Sequence, residues 1–277
     1  MRLFLIRHAE TVHNVAQAWA GTTDSALTNH GTLQIESLAK HFASKSIQFD
    51  RVFASDLSRA SLTATGICLH QPQDHDIPMT PILTSDLRER DFGSLEGVRI
   101  QPAKESVPGS AGPKNTQFEG STHIESETKI SMRERATSFL NEHFLPLLFD
   151  YSGIDSNIAI VSHGVFLRVL WNRLVDLFGP MDISLATGDA SRDHGPAALF
   201  SPSWSNTGFM TLLIQPSQTP QERNTRPSTD ALLNGWTMKI VAVDSKEHLA
   251  GLHRTRGGIG SAIHDSRQKR IDQFFKR

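Results

Sequence analysis

Leu3-Phe4-Leu5-Ile6-Arg7-His8 is the stretch on which the fold turns. Four apolar residues in a row, without polar alternation, describe a strand buried on both faces, as in a parallel sheet covered by helices. An arginine and a histidine follow at once, at the carboxyl end of the strand, where open α/β sheets bind ligands. Two further stretches repeat the arrangement. Arg51-Val52-Phe53-Ala54-Ser55 reads as a second buried strand, and the helix predicted over Ser58–Leu69 carries Arg59 in its first turn. Ile158-Ala159-Ile160-Val161-Ser162 reads as a third, followed by His163-Gly164 and a helix from 165 to about 177.

Between these landmarks, residues 31–44 place Leu33, Leu38 and Phe42 at helical spacing, with a cap near Thr28-Asn29. Strand-like runs stand at 209–214 and 236–243, and a helix is expected to begin near Ser131. Alternating strands and helices predict an α/β fold with a mostly parallel sheet. Stretches 100–128 and 184–231, the second interrupted by the 209–214 strand, are rich in Pro, Gly, Ser and Thr and read as loop insertions over the carboxyl edge. The expected organisation is one catalytic domain over 1–248 and a basic tail over 249–277.

The bulk numbers fit that picture. Of 277 residues, 38% are hydrophobic and 21% charged, enough apolar side chain for a packed core. A net charge of −1 points to neither nucleic acid nor a membrane surface as the main ligand. Cys68 is the single cysteine, so no disulfide can form within the chain, which suits a reducing compartment. No apolar run reaches the roughly 18–20 residues of a membrane span, and the opening run is too short for a signal-peptide core. The expectation is a soluble cytoplasmic or nuclear protein.

Chemistry gathers at the strand ends. Arg7-His8-Ala9-Glu10-Thr11 with Asn14 follows the first, and Ser55-Asp56-Leu57-Ser58-Arg59-Ala60 with Thr63 the second. Leu87-Arg88-Glu89-Arg90-Asp91-Phe92-Gly93-Ser94-Leu95-Glu96-Gly97 comes next, and Ser162-His163-Gly164 ends the third. Each piece alone has an ordinary explanation: a structural histidine, a solvated arginine, a charged face. Two arginines, two histidines and a glutamate at successive strand ends suit phosphoryl transfer. Guanidiniums fork onto phosphate oxygens, a neutral imidazole is a nucleophile, and a second imidazole donates to the phosphoryl group. A carboxyl group can protonate the leaving oxygen and then activate water. Glu89 is the choice for that role, ahead of Glu96, with Glu10 and Asp91 behind. The histidines form no recognisable metal-ligand set, and no cofactor is expected.

These motifs, together with Leu27-Thr28-Asn29-His30-Gly31 and Gln34, resemble the histidine phosphatase superfamily, the phosphoglycerate-mutase-like proteins, over roughly 1–97 and 130–215. The resemblance implies a three-layer α/β/α sandwich and a phosphohistidine on His8. It makes Arg7, Arg59 and His163 the phosphate holders, Glu89 the proton donor and Asn14 a secondary phosphate contact. Trp19-Ala20-Gly21-Thr22-Thr23 departs from the mutase arrangement after Asn14, which favours a phosphatase over a glycolytic mutase and leaves the substrate, a small phosphorylated molecule or a phosphoprotein, open. A mutase and a phosphatase-like scaffold are the alternatives.

From Arg254 onward there are seven Lys/Arg against two Asp. Gln268, Ile271, Phe274 and Phe275 fit Q-x-x-I-x-x-F-F, which resembles the box by which proteins bind the DNA sliding clamp. The competing reading is a terminal helix that docks Ile271 and the two phenylalanines on its own domain.

Overall fold

The computed structural model describes residues 1–72, 78–100, 124–150, 155–179, 182–186, 201–217 and 232–265. The opening run forms β1 (Arg2–Arg7), followed by α1 (Val12–Ala16), α2 (Asn29–Ser44), β2 (Arg51–Ser55), α3 (Ser58–Leu69) and β3 (Ile82–Thr84). Then come α4 (Lys129–Phe139), α5 (Leu145–Asp150), β4 (Asn157–Ser162), α6 (Gly164–Val175), β5 (Ile183–Leu185), β6 (Phe209–Pro216) and β7 (Trp236–Ser245). The strands make one seven-stranded sheet in the order β3-β2-β4-β1-β6-β7-β5.

Residues 3–6 of β1 are all apolar because both faces of the strand are covered there. Leu3 and Leu5 join Ile158, Ile160, Phe139, Phe166 and Leu170 in the core on the α4–α6 side. Phe4 and Ile6 join Leu38, Phe42, Val52 and Val161 on the α2–α3 side. Phe4 meets Phe42 and Phe49 edge-on, at 5.6 and 5.3 Å between ring centres. Burying each such side chain stabilises the fold by roughly 1.5–3 kcal/mol. Three layers result, as the family resemblance implied.

Pairing is parallel for β1–β4, β2–β4, β2–β3 and β5–β7. β6 runs antiparallel to both β1 and β7. The residues preceding β6 therefore arrive at the same edge of the sheet at which β1 ends. Thr28 caps α2, as its sequence predicts, accepting from the Gly31 amide at 2.9 Å. α4 starts at Lys129, two residues before the position expected.

Most of the expected loop insertions fall outside the described residues, which omit 101–123, 187–200 and 218–231. Past residue 248, the described part of the tail lies along the start of α2. The Asn29 amide donates to Ala262 O at 3.0 Å and the His264 amide to Leu27 O at 2.9 Å, while Arg254 pairs with Glu10. The Q-x-x-I-x-x-F-F box lies outside the described residues. Among those described, no helix is long and apolar enough to cross a membrane.

Candidate active site

His8 follows β1 directly and is 4% exposed. Its amide donates to Ser162 O across the sheet at 3.0 Å, fixing it beside the end of β4. The ring Nδ1 lies 2.7 Å from the Ala9 carbonyl oxygen. A carbonyl only accepts, so Nδ1 carries the hydrogen and the lone pair sits on Nε2. Burial, then Arg59 and Arg7, hold the His8 pKa well below the ordinary 6.5, against the weaker pull of the Ala9 bond. The ring is neutral at physiological pH, and burial contributes more to that than the arginines do.

His163, at the cap position of α6, has its ring centre 5.0 Å from that of His8. Arg59 Nε donates to its Nδ1 at 3.1 Å, which leaves the hydrogen on Nε2. That Nε2 is buried and has no partner among the described residues. Burial first, then Arg59 and His8, keep this ring neutral as well.

Arg59 is not a surface residue but is 1% exposed, on the first turn of α3. Its Nη1 donates to Thr23 O at 2.9 Å and its Nη2 to Gly21 O at 2.6 Å, so the 21–23 loop wraps the guanidinium. Gly21 takes φ +56°, and a Cβ there would overlap the Glu96 carboxylate, so the loop needs glycine. Burial lowers the Arg59 pKa to about 10, which leaves it cationic at neutral pH. Arg7 Nη1 donates to Trp204 O at 2.8 Å, and its Nε is buried without a partner among the described residues.

Glu89 sits against the start of α6, beside His163. Its Oε1 accepts from the Phe166 amide at 3.0 Å and the Arg90 amide at 2.9 Å, and its Oε2 from the Val165 amide at 3.1 Å. After burial, its charge is the largest influence on both Arg7 and Arg59. The other carboxylates are occupied elsewhere. Glu96 accepts from the Thr22, Thr23 and Phe92 amides at 2.8, 2.9 and 3.2 Å and so fastens the loop around Arg59. Glu10 binds Thr28 and Arg254, and Asp91 accepts from the Gly93 amide at 2.7 Å. Arg88 forks onto Asp56 at 2.7 and 2.6 Å on the surface.

Asn14 is placed by the capping box of α1. Its Oδ1 lies 3.1 Å from the amide and from the hydroxyl of Thr11, and 3.1 Å from Asn206 Nδ2. The structure thus gathers Arg7, His8, Asn14, Arg59, Glu89 and His163 at one edge of the sheet. It adds Trp204, Asn206 and Thr207, which lie in and beside a stretch that reads as a loop. The available sequence signal is the turn-forming Ser205-Asn206-Thr207-Gly208 just before a strand, which says nothing of what the turn would touch.

A buried guanidinium and a partly buried one, an imidazole lone pair, an imidazole N–H and a carboxyl group can hold a phosphoryl dianion, attack it and manage the proton. The model of the histidine phosphatase superfamily (branch 1) matches residues 3–187. A protein of Schizosaccharomyces pombe named as a probable phosphatase is 29% identical over 99% of this chain and 79% of its own length. A broad-specificity phosphatase of Saccharomyces cerevisiae is 32% identical over 61% of this chain and 68% of its own. Phosphoglycerate mutases of Bartonella species are also among the relatives. A solved mycobacterial glucosyl-3-phosphoglycerate phosphatase shares the fold, with TM-score 0.54 and 17% identity over 88% of this chain and 99% of that one.

Proposed function

Because the chain belongs to branch 1 of the histidine phosphatase superfamily and is a phosphatase, we propose that it hydrolyses phosphomonoesters by two displacements through a phosphohistidine on His8. In the first, the Nε2 lone pair forms the N–P bond as the ester P–O bond breaks, and the Glu89 carboxyl gives its proton to the departing oxygen. In the second, water attacks phosphorus and loses a proton to the Glu89 carboxylate. The N–P bond breaks, and inorganic phosphate leaves. Arg7, Arg59 and the Nε2–H of His163 hold the phosphoryl oxygens throughout, and Asn14 adds a further donor. The observation that carries this reading is the His8 Nδ1 contact to Ala9 O, which directs the lone pair of a buried neutral ring to the other nitrogen.

Glu89→Gln is the sharpest test of the proton donor. Turnover of alkyl phosphates, whose leaving groups need a proton, should fall on the order of 10²–10⁴-fold. The rate of phosphoenzyme formation from activated aryl phosphates should fall far less. Equal losses for the two substrate types would remove Glu89 from that role.

The substrate class proposed is a small phosphorylated molecule or a phosphoprotein, since the phosphoryl cradle suits either. Hydrolysis rather than mutation is favoured because this route requires only that water reach phosphorus. For the Gln268, Ile271, Phe274, Phe275 box we propose a sliding clamp as the partner, on spacing alone. Calorimetry of a 266–277 peptide against the clamp should give saturable binding, lost on Phe274→Ala with Phe275→Ala. A wild-type peptide that releases no heat ends the idea.

A further inference from the structure

The segment from Trp204 to Gly208 lies beyond the residues matched by the family model, yet it touches three of the phosphate-handling residues. Trp204 O holds the Arg7 guanidinium. Asn206 Nδ2 donates to His8 O at 3.0 Å and to Asn14 Oδ1 at 3.1 Å. The Thr207 amide donates to Arg7 O at 3.1 Å. The antiparallel course of β6 delivers this turn to the end of β1.

The turn is built to stay put. Thr207 is fully buried and sits at φ +57°, in the left-handed region that β-branched residues avoid. Its hydroxyl donates to Asn206 O at 2.7 Å and lies 2.9 Å from His248 Nε2. Asp244 accepts from the Ser205 amide at 2.7 Å and from its hydroxyl at 2.9 Å. The end of β7 and the residues just after it therefore brace the turn from behind.

From this geometry we infer that Asn206 is a positioning residue for phosphate binding and acts through Asn14. Asn14 Oδ1 is committed to the donors of Thr11 and Asn206 on one side. An amide is planar, so its NH2 group is turned the opposite way, and Nδ2 makes no bond among the described residues. One nitrogen, Asn206 Nδ2, bridges Asn14 to the nucleophile's own carbonyl, so the two keep a fixed spacing. Without Asn206 the Asn14 amide keeps its Thr11 bonds but loses the contact that ties it to His8, so its donor is held less closely against phosphate.

The inference rests on the proposed phosphate cradle, and the test separates the two. With the full chain, an aryl phosphate as substrate and inorganic phosphate as inhibitor, Asn206→Ala should raise the phosphate inhibition constant and KM about five- to tenfold, as loss of one oriented hydrogen bond does. Asn206→Asp, equal in size but without the donors, should do at least as much and guards against a variant that fails to fold. In an Asn14→Ala background, Asn206→Ala should then cost less than about twofold, because the group it positions is gone. The same factor in both backgrounds, or wild-type phosphate affinity in Asn206→Ala, overturns the inference alone. A wild type that binds no phosphate overturns it together with the cradle.

Discussion

His8→Ala should lose turnover on the order of 10⁵-fold, down to what binding alone achieves, while remaining folded. The asymmetry follows from how the ring is held. His8 is buried, but its side chain makes one hydrogen bond, to the carbonyl of the next residue, and the main-chain bond to Ser162 survives the substitution. Removing a polar ring from a buried place offsets much of the packing lost, so stability should change by about 1 kcal/mol or less. Thermal unfolding beside steady-state hydrolysis decides the matter. Unchanged turnover would remove His8 from the chemistry, and gross unfolding would mean that it is chiefly structural. The wild-type pH profile carries the same signature. With the His8 pKa held well below 6.5, lowering the pH through 6.5 should leave the nucleophile neutral. Activity that depends on it is lost only as pH falls through the depressed value.

Arg59 should behave differently, failing in both function and stability. Its three donors go to His163 Nδ1, Thr23 O and Gly21 O, all from a buried position. Arg59→Ala strands those acceptors, removes one of two cations from the cradle and unfastens the loop that Glu96 holds from the other side. The expected losses are about 10³-fold in kcat/KM and roughly 2–3 kcal/mol in stability. Arg59→Lys should recover little, because a point charge cannot span a ring nitrogen and two carbonyls at once. Denaturant unfolding alongside kinetics reads both. A stabilised Arg59→Ala would mean that the cost of burying the charge outweighs its bonds. A fully active Arg59→Lys would mean that only net charge matters.

Much of this was legible in the sequence because strongly patterned elements carry the site. The β1 and β2 runs are largely apolar, β4 likewise, and the candidate residues stand directly after them, so periodicity located the fold and pointed to the candidate site together. Thr28 announced the start of α2. β3 escaped because it is a three-residue edge strand whose Ile82 and Leu83 are exposed, with no buried run to betray it. α1 is five residues long and exists through the Thr11–Asn14 capping box rather than any apolar face. The direction of β6 could not be read either, since a buried strand looks alike in either sense. That direction brings Trp204, Asn206 and Thr207 to His8. The carboxylates illustrate the same limit. Glu89 and Glu96 share one charged motif, and only the fold shows that one sits against α6 beside His163 while the other fastens the loop around Arg59.

Trapping the phosphoenzyme decides whether His8 carries the phosphoryl group. The wild-type chain would be mixed with an activated aryl phosphate, quenched within milliseconds in alkaline denaturant, digested and mapped by mass spectrometry. One phosphoryl group is expected on His8, stable to alkali and lost in mild acid as a phosphoramidate is, and absent from His8→Ala. Phosphate on any other residue would contradict it. So would net inversion of configuration at a chiral phosphorus, because phosphate would then pass straight to water in one displacement.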